Sequence, residues 1–124
     1  MANELILIVE DNEKNRKLLR DVLQFRGYQT VEAETGEDAV RLARERHPAL
    51  ILMDIQLPGI NGITALGQLR SDPTTRAIPV IAVTASAMTH DRQKIMAAGF
   101  DGYQTKPINV KEFLAAVQAI LSRS

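Results

Sequence analysis

Carboxylates, a hydroxyl and an ammonium group stand at the ends of four short runs in this chain. Leu5-Ile6-Leu7-Ile8-Val9 leads into Glu10-Asp11, and Leu50-Ile51-Leu52-Met53 leads into Asp54. Val80-Ile81-Ala82-Val83 leads into Thr84, and Gly102-Tyr103-Gln104-Thr105 into Lys106-Pro107. If the four runs are parallel strands, these groups gather at one edge of one sheet, where open α/β sheets bind ligands. Three carboxylates at close range do not all stay ionised without a cation. The pattern therefore points to a divalent metal and to an aspartate that reacts beside it. A carboxylate can attack phosphorus and carry the phosphoryl group as an acyl phosphate. That chemistry is mostly positioning and charge neutralisation.

Each residue has a plainer reading beside the chemical one. Asp54 is the candidate nucleophile, or else it caps the loop around Gln56-Leu57-Pro58-Gly59. Glu10, Asp11 and Asp54 suit Mg²⁺, which takes oxygen ligands and keeps several waters, and the backbone carbonyl of Gln56 is a further candidate ligand. Asp11 is also placed to be the N-cap of the next helix. The metal reading is preferred because it accounts for Glu10 as well. Lys106 and Thr84 can serve phosphoryl oxygens, one as a point charge with three donors and the other as a hydroxyl donor. Their alternatives are a solvated loop lysine and an ordinary strand-end threonine. Lys106-Pro107 is a candidate cis peptide, since X-Pro bonds adopt that form. Tyr103 is a strand aromatic that can pack inward or lie exposed. His47 and His90 read as surface residues, and Met53, Met88 and Met96 as core or surface filler.

The elements that must position these groups follow from periodicity. Leu5–Val9 is a strand buried on both faces. From Asn12 the period becomes helical, with Leu18, Leu19, Val22, Leu23 and Phe25 on the amphipathic pattern and Gly27 as the stop. Tyr28–Ala33 is a short strand. Thr35 and Asp38 open a helix that runs to Arg46. Leu50–Met53 is the third strand, followed by a loop at Pro58-Gly59-Ile60-Asn61-Gly62 and a helix over about 63–70, weakened by Gly67. Ile78–Val83 is the fourth strand and Thr89–Ala98 a helix ending at Gly99. Gly102–Thr105 reads as a strand only from its context, and Val110–Leu121 is the last helix. Strands alternating with helices imply a five-stranded parallel α/β sheet, doubly wound, with helices on both faces.

Composition bounds the rest. The chain has 124 residues, 45% of them apolar and 24% charged, which suits one globular domain. Fifteen basic and fifteen acidic residues cancel, so no global charge favours nucleic acid or an anionic membrane. There is no cysteine, which excludes disulfides, thiol nucleophiles and cysteine-ligated metals and is compatible with a cytoplasmic location. No segment approaches the roughly 20 apolar residues of a membrane span, and the start lacks a basic, signal-like region.

Glu10-Asp11, Asp54 within Met53-Asp54-Ile55-Gln56-Leu57-Pro58, Thr84-Ala85 and Lys106-Pro107 together resemble the response-regulator receiver domains of two-component signalling. The resemblance covers essentially the whole chain. Val9-Glu10-Asp11-Asn12-Glu13 and Asp54-Ile55-Gln56-Leu57-Pro58 are most similar to DivK-type single-domain regulators. It implies a CheY-like, flavodoxin-like (βα)5 fold with strand order 2-1-3-4-5, and one receiver domain over 1–124 with no output domain. It also implies that Asp54 accepts a phosphoryl group from a histidine kinase or histidine phosphotransfer protein. Asp11, Asp54 and the Gln56 carbonyl would hold Mg²⁺, with Glu10 acting directly or through water. Lys106 would bind the phosphoryl oxygens, while Thr84 and Tyr103 act as the switch. The face formed by the Thr89–Ala98 helix, the last strand and the last helix would then change its binding to a downstream protein. Such a protein is a self-phosphorylating switch rather than an enzyme, a monomer or weak dimer. Glu10 stands where many members have aspartate.

Other functions meet obstacles in the sequence. A flavin mononucleotide site wants a Ser/Thr/Gly phosphate loop after the first strand, where this chain has Glu10-Asp11. An aspartate-nucleophile phosphatase wants a second acid two residues after the nucleophile, where this chain has Gln56. A structural adaptor with an inert acid cluster is the remaining alternative.

Overall fold

The computed structural model describes residues 4–85 and 89–122, with the backbone alone over 89–91. Five strands, β1 (Leu5–Val9), β2 (Gln29–Ala33), β3 (Leu50–Asp54), β4 (Val80–Thr84) and β5 (Gly102–Thr105), alternate with five helices. The helices are α1 (Glu13–Phe25), α2 (Gly36–Arg46), α3 (Gly62–Ser71), α4 (Thr89–Ala97) and α5 (Val110–Leu121). All strand pairs are parallel, in the order β2-β1-β3-β4-β5, as the receiver resemblance implies. Among the described residues no helix is long and apolar enough to cross a membrane.

Strand period two divides the core. Leu7, Val9, Ile51, Met53, Val80 and Ala82 point to one face and pack with Ala39, Val40, Leu66, Leu69 and Ile95 of α2, α3 and α4. Ile6, Ile8, Leu50, Leu52, Ile81 and Val83 point to the other and pack with Leu19, Leu23, Phe113, Val117 and Ile120 of α1 and α5. The three central strands are therefore apolar throughout, because both their faces are covered.

Helix starts follow their side-chain caps. Asn12, Thr35, Asn61 and Asn109 each accept the backbone N–H three residues on, which satisfies one of the free donors of the first turn. Gly27, with φ +91°, follows the end of α1, and His47 ends α2 in the left-handed region at φ 47°. His47 is exposed, Met53 buried and Met96 exposed, whereas Met88 and the side chain of His90 lie outside the described residues.

The structure departs from the sequence reading in details. Phe25 belongs to α1 but faces solvent, 88% exposed, and Leu18 is 39% exposed, so of the apolar pattern only Leu19 and Leu23 are fully buried. β2 begins at Gln29, and α4 ends at Ala97. β3 extends one residue, to Asp54. β4 begins at Val80 because Ile78 closes a turn, donating its N–H to the Thr75 carbonyl.

Arg70 of α3 fastens that turn. Its Nη1 donates to the carbonyls of Arg76 (2.9 Å) and Ile78 (2.7 Å), and its Nη2 donates to Asp101 Oδ2 (2.9 Å). Asp101 Oδ2 also accepts Val80 N–H at 2.9 Å, while Asp101 N–H donates to the Val80 carbonyl at 2.8 Å. The amino ends of β4 and β5 are thus tied to α3, at the edge of the sheet opposite the acidic groups.

Gly67 lies exposed inside α3, and a Cβ there would meet nothing within 4 Å. Gly67→Ala should therefore stabilise the fold by about 0.5–1 kcal/mol through helix propensity and reduced unfolded-chain entropy. The measurement is thermal unfolding, with a rise of about 2–5 °C expected for a domain of this size.

Candidate functional site

The carboxyl ends of β1, β3, β4 and β5 meet at one edge because the strands are in register. Val9 pairs with Met53, Asp54 with Val83, and Thr84 with Thr105. Glu10, the residue after β1, is 1% exposed, and Asp54, the last residue of β3, is 4% exposed. Two carboxylates are thereby carried into the protein by strands whose apolar burial leaves them no freedom to retreat.

Lys106 answers both. Its Nζ lies 2.7 Å from Glu10 Oε1 and donates to Asp54 Oδ2 at 2.9 Å. The lysine is positioned through its backbone, whose N–H donates to the Thr84 carbonyl at 2.8 Å just beyond the β4–β5 ladder. The Lys106-Pro107 peptide is cis. Thr84 is buried at the end of β4.

The remaining carboxylate oxygens have distinct duties. Glu10 Oε2 accepts Asn12 N–H at 3.1 Å. Glu10 Oε1 is buried and, despite its short ion pair, makes no well-directed hydrogen bond. Asp54 Oδ1 accepts Gln56 N–H at 3.0 Å. Asp54 therefore does cap its loop, with one oxygen, while the other faces the ammonium group. The two readings of Asp54 are compatible.

The electrostatics follow from burial. Desolvation pushes the Glu10 carboxyl above the usual carboxylate range, and nearby Asp54 adds to the rise, against the opposing pull of Lys106 and the Asn12 N–H. Burial works against the charge on Lys106, yet the hydrogen bonds and charges of Glu10 and Asp54 raise it above its ordinary value. The lysine is held firmly as a cation between two acids.

Asp11 is exposed, and it is not the cap of α1. Asn12 is, its Oδ1 accepting Asn15 N–H at 3.0 Å. The Asp11 carboxylate is thus not committed to the helix. One oxygen each from Glu10, Asp11 and Asp54 lies within 4.8 Å of the others. An acidic trio of oxygen donors, one of them a buried oxygen lacking a directed hydrogen bond, fits a hard divalent cation such as Mg²⁺. Gln56 sits at the same edge, exposed, with its N–H held by Asp54.

Tyr103 is half-buried on β5 opposite Ala82, and it packs against the core on the α2–α3–α4 side. Its ring centroid is 5.6 Å from the Arg92 guanidinium carbon of α4, within cation–π range. The aromatic thus joins β5 to α4 rather than choosing between interior and solvent.

Two supporting residues were not singled out by the sequence reading. Arg16 donates from Nη1 to the Glu10 carbonyl (3.1 Å) and from Nε to Glu32 (3.0 Å), with Glu34 at 3.5 Å. It ties the end of β1 to β2. Gly62 brings α3 against the end of β3, its N–H donating to the Ile55 carbonyl at 3.0 Å. The repeated acids at Glu32 and Glu34 were a legible counterpart for an arginine, but their pairing across the chain was not. Gly62 was legible only as loop chemistry.

The family model described as the response regulator receiver domain matches residues 6–118. The polar-differentiation response regulator DivK of Brucella ovis is 47% identical over 116 residues, 94% of each chain. A receiver domain of a sensor histidine kinase from Pseudomonas aeruginosa PAO1 superposes with a TM-score of 0.90 at 34% identity, over 98% of this chain and 99% of that one. That structure has a magnesium ion coordinated in its active-site cleft. The receiver domain of a signal transduction histidine kinase from Syntrophus aciditrophicus gives 0.88 at 33% identity, over 96% of this chain and 90% of that one. Fold, strand order, acidic edge and sequence agree: the chain belongs to the response-regulator receiver family.

Proposed function

We propose that this receiver accepts a phosphoryl group on Asp54 from the phosphohistidine of a histidine kinase or histidine phosphotransfer protein, in the cytoplasm. The observation that carries this reading is the Lys106 ammonium set between two buried carboxylates, with a third acid at the same edge. An Asp54 oxygen forms the new O–P bond as the P–N bond breaks, and the electron pair of that bond stays on the departing imidazole. Lys106 Nζ, already on Asp54 Oδ2, then has phosphoryl oxygens within reach of its remaining donors. The Thr84 hydroxyl, at the end of the adjacent strand, is the further donor. Glu10, Asp11 and Asp54, with the Gln56 carbonyl, are the residues that would hold Mg²⁺, which supplies positive charge against the phosphoryl oxygens.

The output runs through β4 and β5. Thr84 and Lys106 share a backbone hydrogen bond, and Tyr103 lies between that edge and Arg92 of α4. Engagement of Thr84 and Lys106 by a phosphoryl group shifts the balance of the α4–β5–α5 face and its affinity for a target protein. Turning such a two-state face from mostly off to mostly on takes about 5.5 kcal/mol of differential stabilisation. With Gln56 two residues after the nucleophile, no carboxylate is supplied there to activate water, so the protein is a switch rather than a turnover enzyme.

The test is intact mass after incubation with acetyl phosphate, with and without Mg²⁺. Wild type should gain one phosphoryl group only with the metal, and Asp54→Asn should gain none. An equal adduct on the variant would overturn Asp54 as acceptor. No adduct on wild type, from acetyl phosphate or from a phosphorylated histidine donor protein, would overturn the phosphorylation itself.

A further inference from the structure

Asp11 is the acid of the trio that packing does not hold. Glu10 and Asp54 are buried at strand ends, whereas Asp11 is exposed. Its carboxylate nevertheless has an oxygen within 4.8 Å of theirs. The backbone has to supply this placement, and both peptide groups that flank Asp11 are held. The one before it carries the Glu10 carbonyl, which accepts Arg16 Nη1 at 3.1 Å. The one after it carries the Asn12 N–H, which donates to Glu10 Oε2 at 3.1 Å. A peptide group is planar, so fixing its polar atoms restricts where the Asp11 Cα between the two planes can lie. β2 ends at Ala33, whose carbonyl takes the Glu10 N–H at 3.0 Å. Beyond that bond the Glu10 carbonyl is met by an arginine side chain from α1.

We propose that Arg16 is a positioning residue for the divalent cation: it orients the Glu10–Asp11 peptide and so sets both the affinity of the site and its preference for Mg²⁺ over Ca²⁺. This role rests on the reading of Glu10, Asp11 and Asp54 as the metal site. Arg16 is itself firmly placed. Its Nε donates to Glu32 Oε1 at 3.0 Å, its Nη1 lies 3.5 Å from Glu34 Oε1, and its side chain is 16% exposed. Its backbone N–H donates to the carbonyl of Asn12, the cap of α1, at 2.9 Å. Strand end, loop and first helical turn thus close a ring over residues 10–16. A planar guanidinium suits the task, because its donors hold an acid and a carbonyl at a fixed angle. Arg20 shares Glu32 at 3.1 Å, so two arginines and two glutamates balance their charges there. Arg16 therefore acts on the site as a hydrogen-bond donor rather than as a repelling cation. The two roles differ in sign: removing a repelling charge strengthens cation binding, and removing a positioning donor weakens it. Mg²⁺ demands near-ideal octahedral geometry while Ca²⁺ accepts an irregular shell, so a loosened Asp11 costs Mg²⁺ more.

Calorimetric titration of the full chain with MgCl₂ and, separately, with CaCl₂, in the absence of any phosphodonor, is the test. Arg16→Gln should lower Mg²⁺ affinity by about tenfold or more, the usual cost of removing a group that orients a metal ligand. Its Ca²⁺ affinity should fall less, so the ratio of the two shifts toward Ca²⁺. Arg20→Gln removes an ion pair to the same Glu32 without touching the Glu10 carbonyl, and it should leave both affinities unchanged whatever it does to stability. Arg16→Lys keeps a donor and the charge but loses the fork, and should fall between wild type and Arg16→Gln. It also carries the test if Arg16→Gln does not fold. Unchanged or tighter Mg²⁺ binding by Arg16→Gln overturns the proposal. So does an equal loss for both ions, or the same loss in Arg20→Gln, since either reduces the effect to general loosening of the fold. Wild type that fails to bind Mg²⁺ overturns the metal site and this role with it. Wild type that binds Mg²⁺ no better than Arg16→Gln overturns this role alone.

Discussion

Lys106→Met should destabilise the metal-free protein by about 3–5 kcal/mol, the usual result of removing one partner from a buried ion pair. Glu10 and Asp54 are 1% and 4% exposed, and the lysine ammonium lies 2.7 Å and 2.9 Å from their oxygens. Without it, two carboxylates face one another in a site that water barely reaches. In EDTA the thermal midpoint should fall by about 10–20 °C. Mg²⁺ should restore much of that loss, because a ligand that binds only the folded state stabilises it by mass action. The variant should therefore gain more from Mg²⁺ than wild type does. The pH dependence has a definite sign. Burial already holds the Glu10 carboxyl above its ordinary range, so its ionised form destabilises the fold above that raised pKa and is relieved as pH falls through it. In EDTA the gap between variant and wild type should accordingly narrow at acid pH. A variant as stable as wild type in EDTA at neutral pH would show that Lys106 is not the counter-ion of this pair.

Gly62→Ala should damage the same edge from the opposite side. A Cβ on Gly62 would lie 2.6 Å from the Asp54 carbonyl oxygen and 2.9 Å from Ile55 Cα, both backbone atoms that cannot swing away. Either α3 retreats, breaking the hydrogen bond from Gly62 N–H to the Ile55 carbonyl, or the end of β3 moves and takes Asp54 with it. The loss of stability should be about 1–3 kcal/mol, as for other overpacked sites. The rate of adduct formation from acetyl phosphate should fall further, toward 100-fold, because a displacement of about 1 Å is enough to do so. Urea unfolding and the time course of the mass increment measure the two effects separately. Gly67→Ala, in the same helix, should change stability in the other direction and leave the rate alone. Wild-type behaviour of Gly62→Ala in both measurements would mean that the close approach of α3 to β3 is not needed.

Much of this architecture was legible because burial on two faces leaves a plain mark. β1, β3 and β4 are runs of Ile, Leu, Val, Met and Ala that only a covered parallel strand explains, and each ends on the polar group that the site uses. β5 was legible only by position. It lies at the sheet edge with every residue half-buried, so its composition carries little apolar signal. The start of β4 was placed two residues early because Ile78 looks like strand. Its backbone is instead spent on a turn held by Arg70, a contact eight residues away that no local pattern records. The sequence reading offered Asp11 as the cap of α1; geometry gives that role to Asn12, one residue later, whose side chain accepts the helix N–H equally well. Phe25 fits the apolar pattern of α1 by type, but it falls on the last turn, beyond the reach of the sheet. Arg16 and Gly62 escaped notice because their value lies in partners distant along the chain.

The Arg70–Asp101–Val80 fastening gives the sheet a mechanical asymmetry. A plank clamped at one end deflects at the other, and the deflection grows with distance from the clamp. β4 and β5 are gripped together where they begin, while Thr84, Thr105 and Lys106 stand at their free tips. On the proposed switch, displacement imposed at the tips would meet the gripped base along the strands and would pass more readily sideways, through Tyr103 and the helix that Arg92 belongs to.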